Sequence, residues 1–115
     1  MFIDWSRTRV FVRVNPTDMR KQAFGLSVLV TEELEQEPFS GSLFVFCNRN
    51  RTILKGLYWD GTGFWLLSKK LEKHKFPWPR GEGGVSEITA EQLKWLLEGI
   101  DFWRAHRPVI YSHIT

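Results

Sequence analysis

Three strand-like stretches separated by turn signals constrain this fold more than any other part of the sequence. Residues 43–47 are an apolar run of strand formers. Residues 52–59 and 62–71 are also predicted to be strands. Asp60-Gly61 separates the last two, and a type I′ turn needs positive φ at both of its central positions. The pattern therefore predicts an antiparallel meander with a two-residue hairpin, in which residues 43–47 form the central strand.

A two-residue turn also fixes which residues face each other across the hairpin. The predicted pairs are Trp59 with Thr62, Leu57 with Phe64, Gly56 with Trp65, and Leu54 with Leu67. A glycine opposite a tryptophan leaves room for the indole to lie across the strand. Alternate aromatic residues of a small meander fill its core, so we expect Trp59 and Trp65 to be buried, with base stacking as the alternative.

The residues before the meander predict one strand and one helix. Residues 9–14 alternate with period two, as in a half-buried strand, and residues 18–35 have apolar side chains three or four positions apart. Thr17 or Asp18 offers a side-chain oxygen that can cap this helix. Gly25 inside it predicts close packing against a neighbour.

The C-terminal third predicts a short strand and a second helix. Residues 85–88 form the possible strand, and Thr89-x-x-Gln92 resembles a capping box. The apolar stripe of the helix comprises Leu93, Leu96, Leu97 and Ile100, with Gly99 as its breaker. Strands and helices in this order predict a small α+β domain over residues 1–115, with residues 1–7 and 105–115 at its periphery.

Composition narrows the class of protein. A chain of 115 residues is long enough to bury its own core without metal or disulfide support. No apolar run approaches the roughly 20 residues that span a bilayer, and the N-terminus does not resemble a signal peptide. The single cysteine, Cys47, forms no internal disulfide and lacks the spacing of a zinc site. We therefore expect a cytoplasmic protein with one buried, inert thiol and no cofactor.

Basic residues are concentrated in the middle of the chain. The formal net charge is +3, but residues 48–81 alone have eight basic and two acidic residues, or +6, which leaves −3 for the remainder. Such a split indicates a polyanionic partner more clearly than the overall charge does. The eight candidate nucleic-acid-binding residues are Arg49, Arg51, Lys55, Lys69, Lys70, Lys73, Lys75 and Arg80.

Two basic segments carry this prediction. Residues 48–52 join the first two meander strands, so Arg49 and Arg51 are expected at the exposed tip of a β-ribbon, a shape that fits the major groove. Residues 69–75 supply lysines that can contact phosphates. The plainer alternatives are an ordinary polar hairpin and a run of lysines that only increases solubility.

A tryptophan between two prolines suggests another use of the chain. Both prolines of Phe76-Pro77-Trp78-Pro79 lack an amide donor, so the segment is predicted to be an extended loop with Trp78 exposed. Together with Trp95 and Trp103, Trp78 would form a patch that binds another protein.

No recognisable catalytic arrangement is present in the sequence. Asp4, Asp18, Asp60 and Asp101 lack partners at the spacing of a metal-dependent nuclease, and there is no phosphate-binding loop. Cys47 with His74 is a conceivable nucleophile and base, but a buried, inert thiol is the better interpretation. We therefore expect no enzyme activity and no bound metal.

Several motifs together resemble a known family. They are Pro16-Thr17-Asp18-Met19-Arg20-Lys21, Leu43-Phe44-Val45-Phe46-Cys47-Asn48-Arg49, Leu57-Tyr58-Trp59-Asp60-Gly61, Phe76-Pro77-Trp78-Pro79 and Gln92-Leu93-Lys94-Trp95-Leu96-Leu97. From about residue 10 to 103 the chain is similar to the accessory proteins called TnpB in bacterial insertion sequences of type sixty-six, which are encoded beside the transposase. It does not resemble the RNA-guided nuclease of the same name.

The resemblance implies a helper in transposition, with the catalytic acids on the separate transposase. Our leading hypothesis is a non-catalytic accessory factor that binds DNA through the basic β-hairpin region. The alternative is an adaptor that docks on the transposase through an exposed aromatic patch.

Overall fold

A five-stranded mixed sheet with one helix on each face forms the structure. The computed structural model describes residues 3–81 and 83–103. In chain order the elements are a 3-10 helix at Trp5–Arg7, β1 (Val10–Arg13), α1 (Ala23–Glu32), β2 (Leu43–Cys47), β3 (Ile53–Trp59), β4 (Phe64–Lys70), β5 (Val85–Ile88) and α2 (Ala90–Leu97). The predicted α+β class is confirmed, and the predicted strand at residues 85–88 is present.

The strand order is β4-β3-β2-β1-β5, so β2 is the central strand, as predicted. All five residues of β2 are buried. The meander β2-β3-β4 is antiparallel, and β5 is antiparallel to β1. β1 lies parallel to β2, because α1 returns the chain to the starting end of the sheet between the two strands.

Alternate strand residues build two separate cores. The α1 face has Phe11, Phe44, Phe46 and Leu57 packed with Leu26 and Val30 of α1. The α2 face has Val10, Val12, Val45 and Leu54 packed with Leu93 and Leu96 of α2 and with Phe76 and Trp78. Trp5, from the N-terminal 3-10 helix, packs against this second core.

The hairpin between β3 and β4 differs from the prediction. Its loop has four residues, 60–63, instead of two, which shifts β4 by two positions. The observed pairs are Trp59 with Phe64, Tyr58 with Trp65, Gly56 with Leu67, and Leu54 with Lys69. The predicted register, with Gly56 opposite Trp65, is therefore wrong.

The Asp60 carboxylate organises the wider loop. It accepts hydrogen bonds from the backbone N–H groups of Thr62 and Gly63 at 2.9 and 3.0 Å, and from Trp65 Nε1 at 2.8 Å. These bonds lower the pKa of Asp60 to about 2. They also hold the Trp65 indole beside the loop, where it is 41% exposed, so its predicted burial is wrong.

α1 is shorter than the predicted helix over residues 18–35. Asp18 accepts bonds from the backbone N–H and the guanidinium of Arg20, and Thr17 Oγ1 accepts from Arg13 Nη1 at 3.0 Å. Because these two residues are engaged elsewhere, the helix begins after Gln22, which makes no side-chain cap. The three atoms nearest to a Cβ on Gly25 would all belong to the Lys21 side chain, the first at 3.4 Å, so the predicted close packing against a neighbouring element is wrong.

The start of α2 agrees with the prediction, whereas its apolar stripe is shorter. Thr89 and Gln92 form the predicted capping box. The helix ends before Gly99, which has φ +81°, so Ile100 lies beyond it and is 50% exposed. Among the described residues no helix is long and apolar enough to span a membrane, and the predicted peripheral segment 105–115 lies outside them.

Candidate nucleic-acid interface

The connection from β4 to β5 crosses one end of the sheet. Leu71 N donates to Thr52 O at 2.9 Å and Phe76 N donates to Arg51 O at 2.8 Å, which places the start of the connection beside the β2–β3 loop. Farther along, Trp78 Nε1 donates to Arg13 O, at the end of β1. The two basic segments predicted from the sequence therefore lie at the same end of the sheet.

Five exposed cationic side chains belong to this end of the sheet, which we call the basic end. They are Arg49 in the β2–β3 loop, Lys70 at the end of β4, and Lys73, Lys75 and Arg80 in the connection. Ion pairs in the described part of the chain join Arg9 to Glu87, Arg13 to Glu33 and Arg20 to Asp18, so none involves these five.

Asn48 gives the β2–β3 loop its shape. Its Oδ1 accepts from the N–H groups of Thr52 and Ile53 at 2.8 and 3.0 Å, and its Nδ2 donates to Thr52 Oγ1 at 3.1 Å. These bonds leave Arg49 and Asn50 exposed at the loop tip. Arg49 therefore has the exposed position that the sequence predicted.

Arg51 is not at the tip, and this part of the prediction is wrong. It has φ +64°, and its guanidinium carbon lies 5.7 Å from the ring centre of Trp78. Its Nη1 is buried and has no hydrogen-bond partner in the described part of the chain. Arg51 is thus half-buried and stacks over Trp78, a cation–π contact that joins the loop to the connection.

Cys47 lies close to this loop and is fully buried, as the sequence predicted. Burial raises the pKa of the thiol to about 12, although the nearby charge of Arg51 acts in the opposite direction. A thiol with this pKa is protonated at neutral pH. It is therefore not an activated nucleophile.

Two of the eight predicted residues have structural contacts instead of free ammonium groups. Lys55 is 9% exposed and donates Nζ to Lys21 O at 2.9 Å, on the α1 face. Lys69 is exposed but donates Nζ to Leu97 O at 2.8 Å, where it contacts the last turn of α2. Both ammonium groups are thus engaged by backbone carbonyls, and binding of a polyanion by Lys55 or Lys69 stays a prediction.

The expectation that Trp78 is exposed is wrong. It is 8% exposed, and the hydrogen bond from Nε1 to Arg13 O at 2.8 Å fixes the indole against the sheet. Trp103 donates Nε1 to Pro77 O at 3.2 Å, and Trp95 and Trp103 both pack against the α2-face core. The three tryptophans line one core, so they do not present a common exposed patch. Contact roles for Trp95 and Trp103 remain predictions.

Sequence reasoning missed a second exposed surface. Phe24 on α1 is 81% exposed and Phe39, after α1, is 56% exposed. The available signal was the composition of α1, because residues 23–31 contain no charge and have apolar side chains on all sides of the helix. A helix of this kind is normally buried all round.

The described residues contain no group of three or more His, Cys, Asp or Glu side chains that could hold a metal ion. The structure thus defines a small α+β protein with exposed cationic side chains at one end of its sheet. A family described as IS66 Orf2 like matches residues 8–107. The chain belongs to this family, and its resemblance to the accessory proteins of these insertion sequences is confirmed.

Two relatives from Sinorhizobium fredii match most of the chain. The uncharacterized protein y4hO is 43% identical over 96 residues, which cover 84% of this chain and 83% of the relative. The uncharacterized protein y4jC is 35% identical over 102 residues, which cover 89% and 87% of the two chains. No solved structure matches the chain. The family indicates an accessory protein associated with transposition.

Proposed function

We propose that this chain is a non-catalytic accessory factor of transposition that binds duplex DNA through its basic end. The observation that carries the proposal is the path of residues 71–80. This segment brings Lys73, Lys75 and Arg80 to the end of the sheet that holds Arg49 and Lys70. Exposed Lys and Arg side chains that form no ion pair with the described acidic residues attract a polyanion and displace its counterions.

Burial of the aromatic residues favours duplex over single-stranded DNA as the ligand. Proteins that bind single strands stack bases on exposed aromatic rings. Phe76 and Trp78, the aromatic residues of the connection, are only 2% and 8% exposed. The basic end therefore offers phosphate contacts but no stacking platform from this segment.

The test is the salt dependence of DNA affinity, measured by fluorescence anisotropy with the full chain and a 20-base-pair duplex. If all five cations contact phosphates, the slope of log K against log salt is about −4.5, and affinity falls about 500-fold between 50 and 200 mM salt. Lys73→Ala with Lys75→Ala reduces the slope to about −2.7, or about 40-fold over the same range.

The matched control removes the same charge elsewhere. Arg7 precedes β1 at the opposite end of the sheet, and Lys94 is exposed on α2. Arg7→Ala with Lys94→Ala leaves the slope unchanged if the basic end is the binding surface. A wild-type slope near zero, or equal slopes for the two double variants, would contradict the proposal.

A further inference from the structure

The outward side of α1 is apolar and uncovered. The helix directs Leu26 and Val30 into the α1-face core, where both are 0% exposed. On its other side Phe24 is 81% exposed. An isolated exposed apolar residue is ordinary, whereas a contiguous apolar surface indicates an interaction site.

This surface is part of a groove of about 610 Å³, which we call the α1 groove. One wall is the outward side of α1, and the other is the segment around Phe39 with the start of β4. The lining residues are Ala23, Phe24, Ser27, Val28, Thr31, Glu32, Pro38, Phe39 and Phe64. α1 has ten residues and is thus about 15 Å long, so a partner helix of similar length can lie along it.

The aromatic wall of the groove is fixed in position. The centre of the Phe39 ring lies 4.9 Å from the ring centre of Trp59, in an edge-to-face contact, and 5.5 Å from that of Phe64. Trp59 and Phe64 are themselves 5.0 Å apart, so the three rings support one another. An anchor that is already ordered loses little conformational entropy when a partner binds.

Charge distinguishes between the possible occupants. Among the described residues that line the groove, Glu32 is the charged one, and exposed Glu35 and Glu37 follow it in the chain, whereas Glu33 is already ion-paired with Arg13. A second copy bound face to face would bring these carboxylates together, which opposes self-association. A segment with Lys or Arg beside its apolar side chains would instead pair with them.

We propose that the α1 groove binds an amphipathic helical segment of another protein, with large apolar residues on one side and Lys or Arg at their flank. Helix-in-groove recognition of this kind uses apolar anchors at helical spacing for affinity and flanking charges for orientation. This docking surface does not depend on DNA binding by the basic end.

The test uses two synthetic 18-residue amphipathic helices with the same Leu and Phe face. One has Lys and Arg on its polar face and the other has Glu. Binding to the full chain is measured by fluorescence anisotropy of labelled peptide. We expect the basic peptide to bind at least about tenfold more tightly, and Phe24→Ser to weaken it at least about tenfold. The matched control is Ile100→Ser, which removes an exposed apolar residue outside the groove and leaves affinity unchanged.

A charge reversal separates the proposal from general apolar adhesion. Glu32→Lys should weaken the basic peptide and strengthen the acidic one. Equal affinity for the two peptides, or no saturable binding of the basic one below about 1 mM, overturns the proposal. Dimerisation of the full chain that Phe24→Ser abolishes would assign the groove to a second copy and also overturn it. DNA affinity, measured separately on Phe24→Ser, reports whether the basic end is intact.

Discussion

Replacement of Trp78 by alanine tests whether this residue fastens the basic connection to the sheet. The indole is 8% exposed, donates Nε1 to Arg13 O at 2.8 Å and lies under the Arg51 guanidinium. Trp78→Ala removes all three interactions at once. It would also leave a cavity in the α2-face core, which cannot close because both neighbouring prolines restrict the backbone.

The expected loss of stability is large for a chain of this size. Truncation of a buried tryptophan to alanine costs about 3–5 kcal/mol. Trp78→Phe keeps most of the ring volume but leaves the Arg13 carbonyl without its indole donor, which costs about 1–3 kcal/mol. Because the total stability of such domains is about 5–15 kcal/mol, the alanine variant would unfold at a much lower urea concentration.

The assay is equilibrium urea denaturation followed by far-UV circular dichroism, since removal of a tryptophan alters the fluorescence signal. Trp65→Ala is the matched control: it deletes a tryptophan that is 41% exposed and hydrogen-bonded to Asp60, and it should cost about 1 kcal/mol. If Trp78→Ala cost no more than Trp65→Ala, Trp78 would not be a core anchor and the assignment of the basic end would lose its support.

Three further outcomes follow from single residues. Gly25→Ala should stabilise the chain by up to about 1 kcal/mol in the same denaturation assay, because the atoms nearest to the new Cβ belong to the flexible Lys21 side chain; a loss of stability would contradict this. Asp60 has a pKa of about 2, below its ordinary value of 3.8, so its stabilising contribution is complete above pH 4 and is lost as pH falls towards 2. When stability is measured against pH, Asp60→Asn should lack this loss of stability at acid pH. A pH profile equal to that of the wild type would contradict the role of the Asp60 carboxylate. Cys47, with a pKa of about 12 and no exposure, should react with a disulfide reagent at pH 8 only after unfolding; reaction of the folded chain at the rate of a free thiol would contradict its burial.

Local patterns were sufficient to predict most elements of the fold. The five apolar residues of β2 and the Thr89-x-x-Gln92 capping box each determine structure through neighbours in the sequence. Alternation located β1, but the strand is not half-buried as predicted, because Phe11 packs in the α1-face core while Val10 and Val12 pack in the α2-face core. The position of Arg49 at a loop tip is also local, since Asn48 closes that loop with bonds to the next few residues. Such features are readable because each matches a common sequence pattern of a strand, a helix cap or a turn.

The errors arose where a distant partner or a side chain determined the outcome. The Asp60-Gly61 dipeptide indicated a two-residue turn, but the Asp60 carboxylate binds Thr62, Gly63 and Trp65 and stabilises a wider loop. Trp78 appeared exposed from its two prolines, whereas its hydrogen-bond acceptor belongs to Arg13, 65 positions away. Neither interaction leaves a periodic signal in the sequence.

The two proposed surfaces are separate on the molecule. The aromatic wall of the α1 groove includes Phe64, at the start of β4, whereas Lys70 of the basic end is the last residue of that strand. The length of such a strand is about 20 Å, and the Debye length at physiological salt is about 8 Å, so charges at its two ends are largely screened from each other. A basic segment in the groove should therefore leave DNA affinity unchanged at physiological salt. A DNA affinity that changed when the peptide bound would show coupling between the surfaces, and that coupling would have to be reciprocal.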